Sequence, residues 1–245
     1  MKWTDEGIVI GITTFAEDQT RLTLLTAQSG RQSGLFKLSK KQPTLQLGDR
    51  VSATWNARLS EHLGRFQIER LSSPAPRMFQ DPWRLWLLQN TCSLLAILPD
   101  RHPYPTLFEE ASLFFHALVS TDNQISFAYM TLLEKRILAD LGFGIDLSEC
   151  CVTHIQSDLT FISPKTGRAV STIAAQPYLD KLLPLPSFWL DEDLASETLT
   201  WHDISAAFTV TGYFWQKWLF NDKQTFPSVR TSIIEYCKKL HRQPM

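Results

Sequence analysis

The first 72 residues hold about five short segments in which apolar residues recur at every second position, each closed by a turn signal. GIVIGITTF (7–15) is apolar and β-branched. A polar break, AEDQ, precedes RLTLLTAQSGR (21–31), which ends at a Ser-Gly turn. GLFKLS follows, then a loop bearing Pro43 and two lysines. GDRVSATWNARL alternates cleanly, with Val51, Ala53, Trp55, Ala57 and Leu59 on one face and Ser52, Thr54, Asn56 and Arg58 on the other. RFQIERL closes the set with Phe66 and Ile68 inward. Strands this short cannot bury their apolar face or hide their edges as an open sheet. A small closed barrel does both, and five strands of this kind predict an OB-fold.

SSPAPR (72–77) is a Pro/Ser linker, and the pattern beyond it is helical. Asp81-Pro82 reads as an N-cap with proline at the first helical position. Thr106-Leu-Phe-Glu109 reads as a capping box for a second helix to about Val119. A third helix spans about Ile125–Leu141 and stops at Gly142. Residues 143–176 lack helical periodicity. YLDKLL reads as a short helix, and Thr200-Trp-His-Asp203 opens an aromatic-rich helix to about Phe220. Ser228 is the expected cap of the last helix. The class is therefore α+β: a five-stranded OB-fold barrel at 1–76 and an all-α C-terminal domain at 77–245.

With 44% hydrophobic and 20% charged residues, the 245-residue chain can bury a sizeable core. No run of about 18 apolar residues argues for a membrane span, and the N-terminus lacks a signal peptide's apolar block. Cys92, Cys150, Cys151 and Cys237 form no C-x-x-C pair, which fits a reducing compartment; a cytoplasmic location is expected. Net charge is −1, yet residues 1–75 hold ten Lys/Arg against seven Asp/Glu, and the remainder holds fourteen against eighteen.

Motifs for enzymatic chemistry are missing: no P-loop, no nucleophile elbow, no H-E-x-x-H. The histidines at 62, 102, 116, 154, 202 and 241 are scattered. Gly142-Phe-Gly144 follows a helix and reads as its stop, and Asp191-Glu-Asp193 reads as a solvated loop. No cofactor and no catalytic residue is expected. The binding candidates are basic residues of the barrel: Arg31, Lys37, Lys40, Lys41, Arg50, Arg58 and Arg65. A basic groove that tracks phosphates, with aromatics for stacking, is how such barrels hold single strands. Trp3, Phe36 and Trp55 are the aromatic candidates, although Trp55 shares its face with core residues. FISPKTGRAVS (161–171) offers Lys165 and Arg168 around a Thr-Gly turn, either as a DNA contact or as partners of Asp146 or Glu149.

Several stretches, taken together, resemble the RecO recombination-mediator family. W-x-DEGIVIG, LLTAQSGRQSGLFK and LGDRVSATWNARLSEHLGRFQIE resemble its N-terminal domain. LLEKRILADLGFGIDLSECCVT, LTFISPKTGRAVS and YLDKLLPLPSFW resemble its C-terminal domain. The resemblance implies an OB-fold joined to a helical domain, in a bacterial cytoplasmic, nucleoid-associated protein without nucleotide hydrolysis. It further implies binding to single- and double-stranded DNA, annealing of complementary strands, and engagement of the acidic C-terminal tail of single-stranded-DNA-binding protein. With RecR, such a protein helps RecA onto coated strands. For the acidic tail, Lys135 and Arg136 are the candidates. The alternative is an adaptor whose OB-fold binds an acidic peptide without direct DNA contact.

One departure stands out. Many members of the family carry a small zinc module in the region of 145–176. Its four ligand positions fall here on Cys150, Thr153, Ser171 and Ala174. Structural zinc needs four soft or imidazole donors, so no zinc is expected, and the insert is expected to be held by packing. Phe161, Ile162 and Val170 are the expected apolar replacements, Ser163 and Ser171 the hydrogen-bonding ones, and Gly167 the turn.

Overall fold

The computed structural model describes residues 1–37, 44–59, 62–191, 194, 199–220 and 227–241. Lys40, Lys41, Glu192 and Asp193 lie outside them. The chain divides into two compact units, Met1–Thr121 and Asp122–Met245. The sequence boundary at 76–77 follows the switch from strand to helix, whereas compactness divides the chain further on, after the first two helices.

Unit 1 opens with β1 (Lys2–Ala16), β2 (Gln19–Thr26), β3 (Gly30–Lys37), β4 (Arg50–Asn56) and β5 (Gly64–Ser72). They close into a barrel in the order β1-β2-β3-β5-β4, with β4 returning to β1. All pairs are antiparallel except β3–β5, where Gly34 faces Gly64 and Leu35 faces Arg65 in parallel register. The alternation seen in the sequence fills the interior: Val9, Leu22, Leu24, Phe36, Val51, Ala53, Trp55 and Phe66 form the barrel core. At about 25 cal/mol per Å² of apolar surface, burying such side chains is the dominant favourable term for so small a barrel. Trp3 stacks on Trp55, with ring centroids 5.8 Å apart, and Trp55 Nε1 donates to the Ser33 carbonyl at 3.2 Å.

Helices α1 (Pro82–Leu95) and α2 (Pro105–Ala117) complete unit 1. Both start differently from the sequence expectation. Asp81 precedes α1, but its side chain makes no cap hydrogen bond; it accepts instead from Arg84 Nε at 2.8 Å. The Thr106–Glu109 box is not formed, because Pro105, preorganised for the first helical position, starts α2 two residues earlier with Tyr104 as N-cap.

Unit 2 is built on α3 (Asn123–Asp140), α6 (Trp201–Trp218) and α7 (Val229–His241). The Asp122 carboxylate caps α3 by accepting from the Ile125 amide at 2.9 Å. Gly142, at φ +88°, ends α3 in a Schellman motif: its amide donates to Ala139, and that of Phe143 donates to Leu138. Thr200 does cap α6, its hydroxyl accepting from the Asp203 amide at 3.1 Å and donating to the Asp203 carboxylate at 2.7 Å. A polar network lies in the core between these helices. Arg230 pairs with Glu134 and donates to Thr211 Oγ1 at 3.0 Å, and Thr211 in turn donates to Glu134 at 2.5 Å.

The 145–176 insert is not irregular throughout. It carries β6 (Leu159–Ile162) and β7 (Ala169–Ser171), and β8 (Leu183–Pro184) adds a third strand in the order β7-β6-β8. Short helices α4 (Thr172–Ala175) and α5 (Phe188–Asp191) flank it, and YLDKLL falls partly in a 3-10 helix at Gln176–Lys181. FISPKTGRAVS is thus a hairpin. Gly167 sits at φ +74°, where a side chain is strained and where a Cβ would stand 3.1 Å from the Trp218 ring. All four cysteines carry free thiols, and burial pushes those of Cys92 and Cys237 up to about 12. No helix among the described residues is long and apolar enough to cross a membrane.

Candidate nucleic-acid interface

Side chains that alternate out of a barrel strand share its outer face. On β2 that places Arg21 outward, opposite Leu35 of β3, which in turn faces Arg65 of β5. Lys37 follows Leu35 on the same face of β3. Arg21, Lys37 and Arg65 are all exposed, so three cations occupy one continuous β2–β3–β5 surface. Arg21 and Arg65 form no ion pair among the described residues. Lys37 lies 3.6 Å from Asp18, with both side chains exposed, a pairing worth little in water.

A cavity of about 220 Å³ opens beside these strands, lined by Arg21, Gln32, Ser33, His62, Leu63, Asp100 and Arg101. His62 and Leu63 come from the β4–β5 loop. Strands 2 and 3 with that loop and the β1–β2 loop form the ligand face of OB barrels. Phe15, at the β1–β2 hairpin, is 58% exposed, a large aromatic ring left in solvent beside this face. Base stacking on such a ring is worth about 1–3 kcal/mol per base.

The other sequence candidates distribute as follows. Arg31 points outward on β3 but is half-buried and paired with Asp100 at 3.0 Å. Arg58 is exposed in the β4–β5 loop. Arg50 stands at the far end of β4, donating to Glu6 through Nε at 2.9 Å and Nη2 at 2.5 Å, away from Arg21 and Arg65. Trp3, Phe36 and Trp55 pack in or against the barrel core, so they are not presented as stacking platforms. Arg21, Arg101, His62 and Phe15 were missed in the sequence. Arg21 could have been found by carrying the alternation of β2 through to its outer face.

In unit 2, Arg168 donates to Asp146 at 3.2 Å and to Glu149 at 3.0 Å, which holds the hairpin to the segment before it. Hydrogen bonds from Ser148 and this guanidinium hold the Asp146 carboxyl below the usual range. Lys165 is exposed, and its carbonyl accepts from Lys217 Nζ at 3.1 Å. Arg136 reaches Asp140 at 3.3 Å, and the Lys135 ammonium lies 5.6 Å from the Trp189 ring centroid.

The positions that correspond to zinc ligands converge without forming a metal-binding donor set. Cys150 is fully buried, and its Sγ accepts from the Ser171 amide at 3.3 Å. Thr153 Oγ1 and Ser171 Oγ lie 3.5 Å apart, and Ala174 packs against the same cluster. One thiol, two neutral hydroxyls and a methyl do not suit zinc. His154 is turned to Glu149 at 2.8 Å. Among the described residues no group of three His, Cys, Asp or Glu could hold a metal ion. Ile162 and Val170 are buried and Phe161 half-buried, as a packed replacement requires.

Comparison with known proteins places this architecture. Residues 1–74 match the family model described as recombination protein O N terminal, and residues 80–224 match recombination protein O C terminal. The DNA repair protein RecO of Methylobacterium nodulans is 40% identical over 232 residues, covering 93% of this chain and 94% of that protein. Those of Methylorubrum extorquens and Brucella abortus are 38% and 36% identical over 241 and 239 residues, covering 96% of this chain in each case and 97% and 95% of theirs. With both family models matched in order and relatives aligned along almost the entire length, the chain belongs to the recombination protein O (RecO) family.

Proposed function

We propose that this chain is a non-enzymatic, DNA-binding mediator of recombination in DNA repair. The observation that carries the reading is the β2–β3–β5 face, where Arg21, Lys37 and Arg65 stand together on the ligand side of an OB barrel. Cations so placed neutralise successive phosphates and release their counterions, which is the main driving force for sequence-independent binding. Phe15 and Leu63 supply apolar surface for unstacked bases. Contacts of this kind grip the backbone and leave Watson–Crick edges free. Two complementary strands whose phosphate repulsion is reduced can then pair, so annealing follows from binding without nucleotide hydrolysis.

The finer roles are part of the same proposal: binding of single- and double-stranded DNA, engagement of the acidic tail of single-stranded-DNA-binding protein, and action with RecR in RecA loading. Lys135, whose ammonium lies by the Trp189 ring, and Arg136, its neighbour on α3, are the residues proposed for the acidic tail. The test is a fluorescence titration with a labelled single strand across salt and, separately, with an acidic Phe-terminated peptide. Salt-sensitive binding of the strand is expected. Binding of the peptide alone would make the protein an adaptor instead.

A further inference from the structure

The loop between α1 and α2 (96–104) contributes Asp100 and Arg101 to the lining of the 220 Å³ cavity on the barrel. Pro99 and Pro103 restrict the backbone on either side of this pair. Leu98 and Tyr104 are buried and anchor the two ends of the segment. Between them the loop is fastened to β3. The Arg101 amide donates to the Arg31 carbonyl at 2.9 Å, and Arg31 and Asp100 form a parallel bridge. Gly30 permits so close an approach, because a Cβ there would stand 2.0 Å from the His102 carbonyl oxygen.

These ties hold Arg101 at φ 61°, a conformation that is costly for a residue with a side chain. Such positions persist where the surrounding structure over-determines them, and they cluster at ligand sites. The charges point the same way. The Asp100 carboxylate is matched by the Arg31 guanidinium at 3.0 Å. Arg101 is exposed and, like Arg21 in the same cavity, forms no ion pair among the described residues.

We propose that Arg101 is a phosphate-contacting residue of the DNA face, delivered to the barrel by the α1–α2 loop, and that Arg31 and Gly30 position it rather than meet the strand themselves. The inference rests on the DNA-binding reading of the barrel. The occupant follows from Arg21, which belongs both to this cavity and to the β2–β3–β5 row. A strand lying on that row brings its phosphates to the cavity, where a guanidinium can take two phosphate oxygens at once. Arg31 cannot do the same while Asp100 occupies it.

The experiment compares the full chain with Arg101→Gly, Arg101→Lys and, as a control, Arg77→Ala for binding of a labelled single strand across salt. Glycine accepts a positive φ, so an unchanged thermal transition is expected for Arg101→Gly. Its salt slope should fall by about 0.7, and Arg101→Lys should keep the wild-type slope. Arg77 is exposed and lies outside the cavity, so Arg77→Ala should leave the slope unchanged. Two exchanges test the positioning without altering net charge: Gly30→Ala, which drives the loop off β3, and Arg31→Ala combined with Asp100→Ala, which removes the ion pair should Gly30→Ala fail to fold. Each should lower the slope in the wild-type background and not in Arg101→Gly. A folded exchange that leaves the slope unchanged, or lowers it equally in Arg101→Gly, would overturn the positioning role. Wild-type slope and affinity in Arg101→Gly, or an equal loss in Arg77→Ala, would overturn the contact and leave the β2–β3–β5 face standing. Failure of the wild-type chain to bind DNA would overturn both.

Discussion

Gly34 on β3 and Gly64 on β5 face each other in the one parallel strand pair that closes the barrel. Neither position has room for a side chain. A Cβ at Gly34 would lie 2.8 Å from the Phe66 ring, and one at Gly64 would lie 2.2 Å from the Trp55 ring. The two glycines let the largest core rings reach the seam. The same seam sets Arg65 beside Leu35 and so assembles the basic face.

Gly64→Ala is therefore expected to destabilise unit 1 by roughly 1–3 kcal/mol through overpacking. Urea unfolding followed by tryptophan fluorescence measures it. A substitution without effect would mean that the seam is looser than the Trp55 contact implies.

The zinc-ligand positions lead to a compositional prediction. The purified protein should contain far less than one equivalent of zinc, and a chelator should leave its melting temperature unchanged. Elemental analysis with thermal melts decides it. One tightly bound equivalent would contradict the packed-replacement account of Cys150, Thr153, Ser171 and Ala174.

Cys150 also has a pH signature. Burial pushes its thiol up, but hydrogen bonds from Ser171 and Thr153, through side chains and backbone amides, outweigh this and bring it down to about 6 from an ordinary 9.0. An acid whose folded value is depressed stabilises the fold above the unfolded value, and that contribution is lost as pH falls through the folded value. The stability advantage of the wild type over Cys150→Ala should thus be largest above pH 9 and shrink toward pH 6. The slope is at most about 1.4 kcal/mol per pH unit. Parallel stability curves for the two proteins across this window would refute the assignment.

The Arg230–Glu134 pair sits in the core of unit 2, with 4% and 1% of the two side chains exposed. Removing one partner leaves the other charge buried and uncompensated. Glu134→Ala should cost about 3–5 kcal/mol, whereas replacing both residues with well-packed apolar side chains should cost much less. A double-mutant cycle in denaturant tests this.

The architecture was legible where the signal is local. Val51, Ala53 and Trp55 read as one strand face because a period of two needs only neighbours, and Gly142 ended α3 through its own backbone freedom. The Thr106 box failed because Pro105 competed for the same turn. What the chain does not carry locally is register. That Arg21, Leu35 and Arg65 share a row depends on the β2–β3 and β3–β5 pairings, which join residues distant in sequence. The same holds for Phe36, which sequence composition offers as a stacking ring and barrel closure turns into core, and for Trp3, which closure packs against that core. Phe15 reads as an ordinary strand residue and is left exposed where the β1–β2 register shifts between Thr14 and Ala16.

The central claim is that the β2–β3–β5 face binds DNA. The most direct measurement is the salt dependence of single-strand affinity for the wild type and for a variant combining Arg21→Ala, Lys37→Ala and Arg65→Ala. Each lost phosphate contact removes about 0.7 from the slope of log affinity against log salt on single strands. The account predicts a slope shallower by about 2 and a marked loss of affinity at low salt. An unchanged slope and affinity in a folded variant would contradict it.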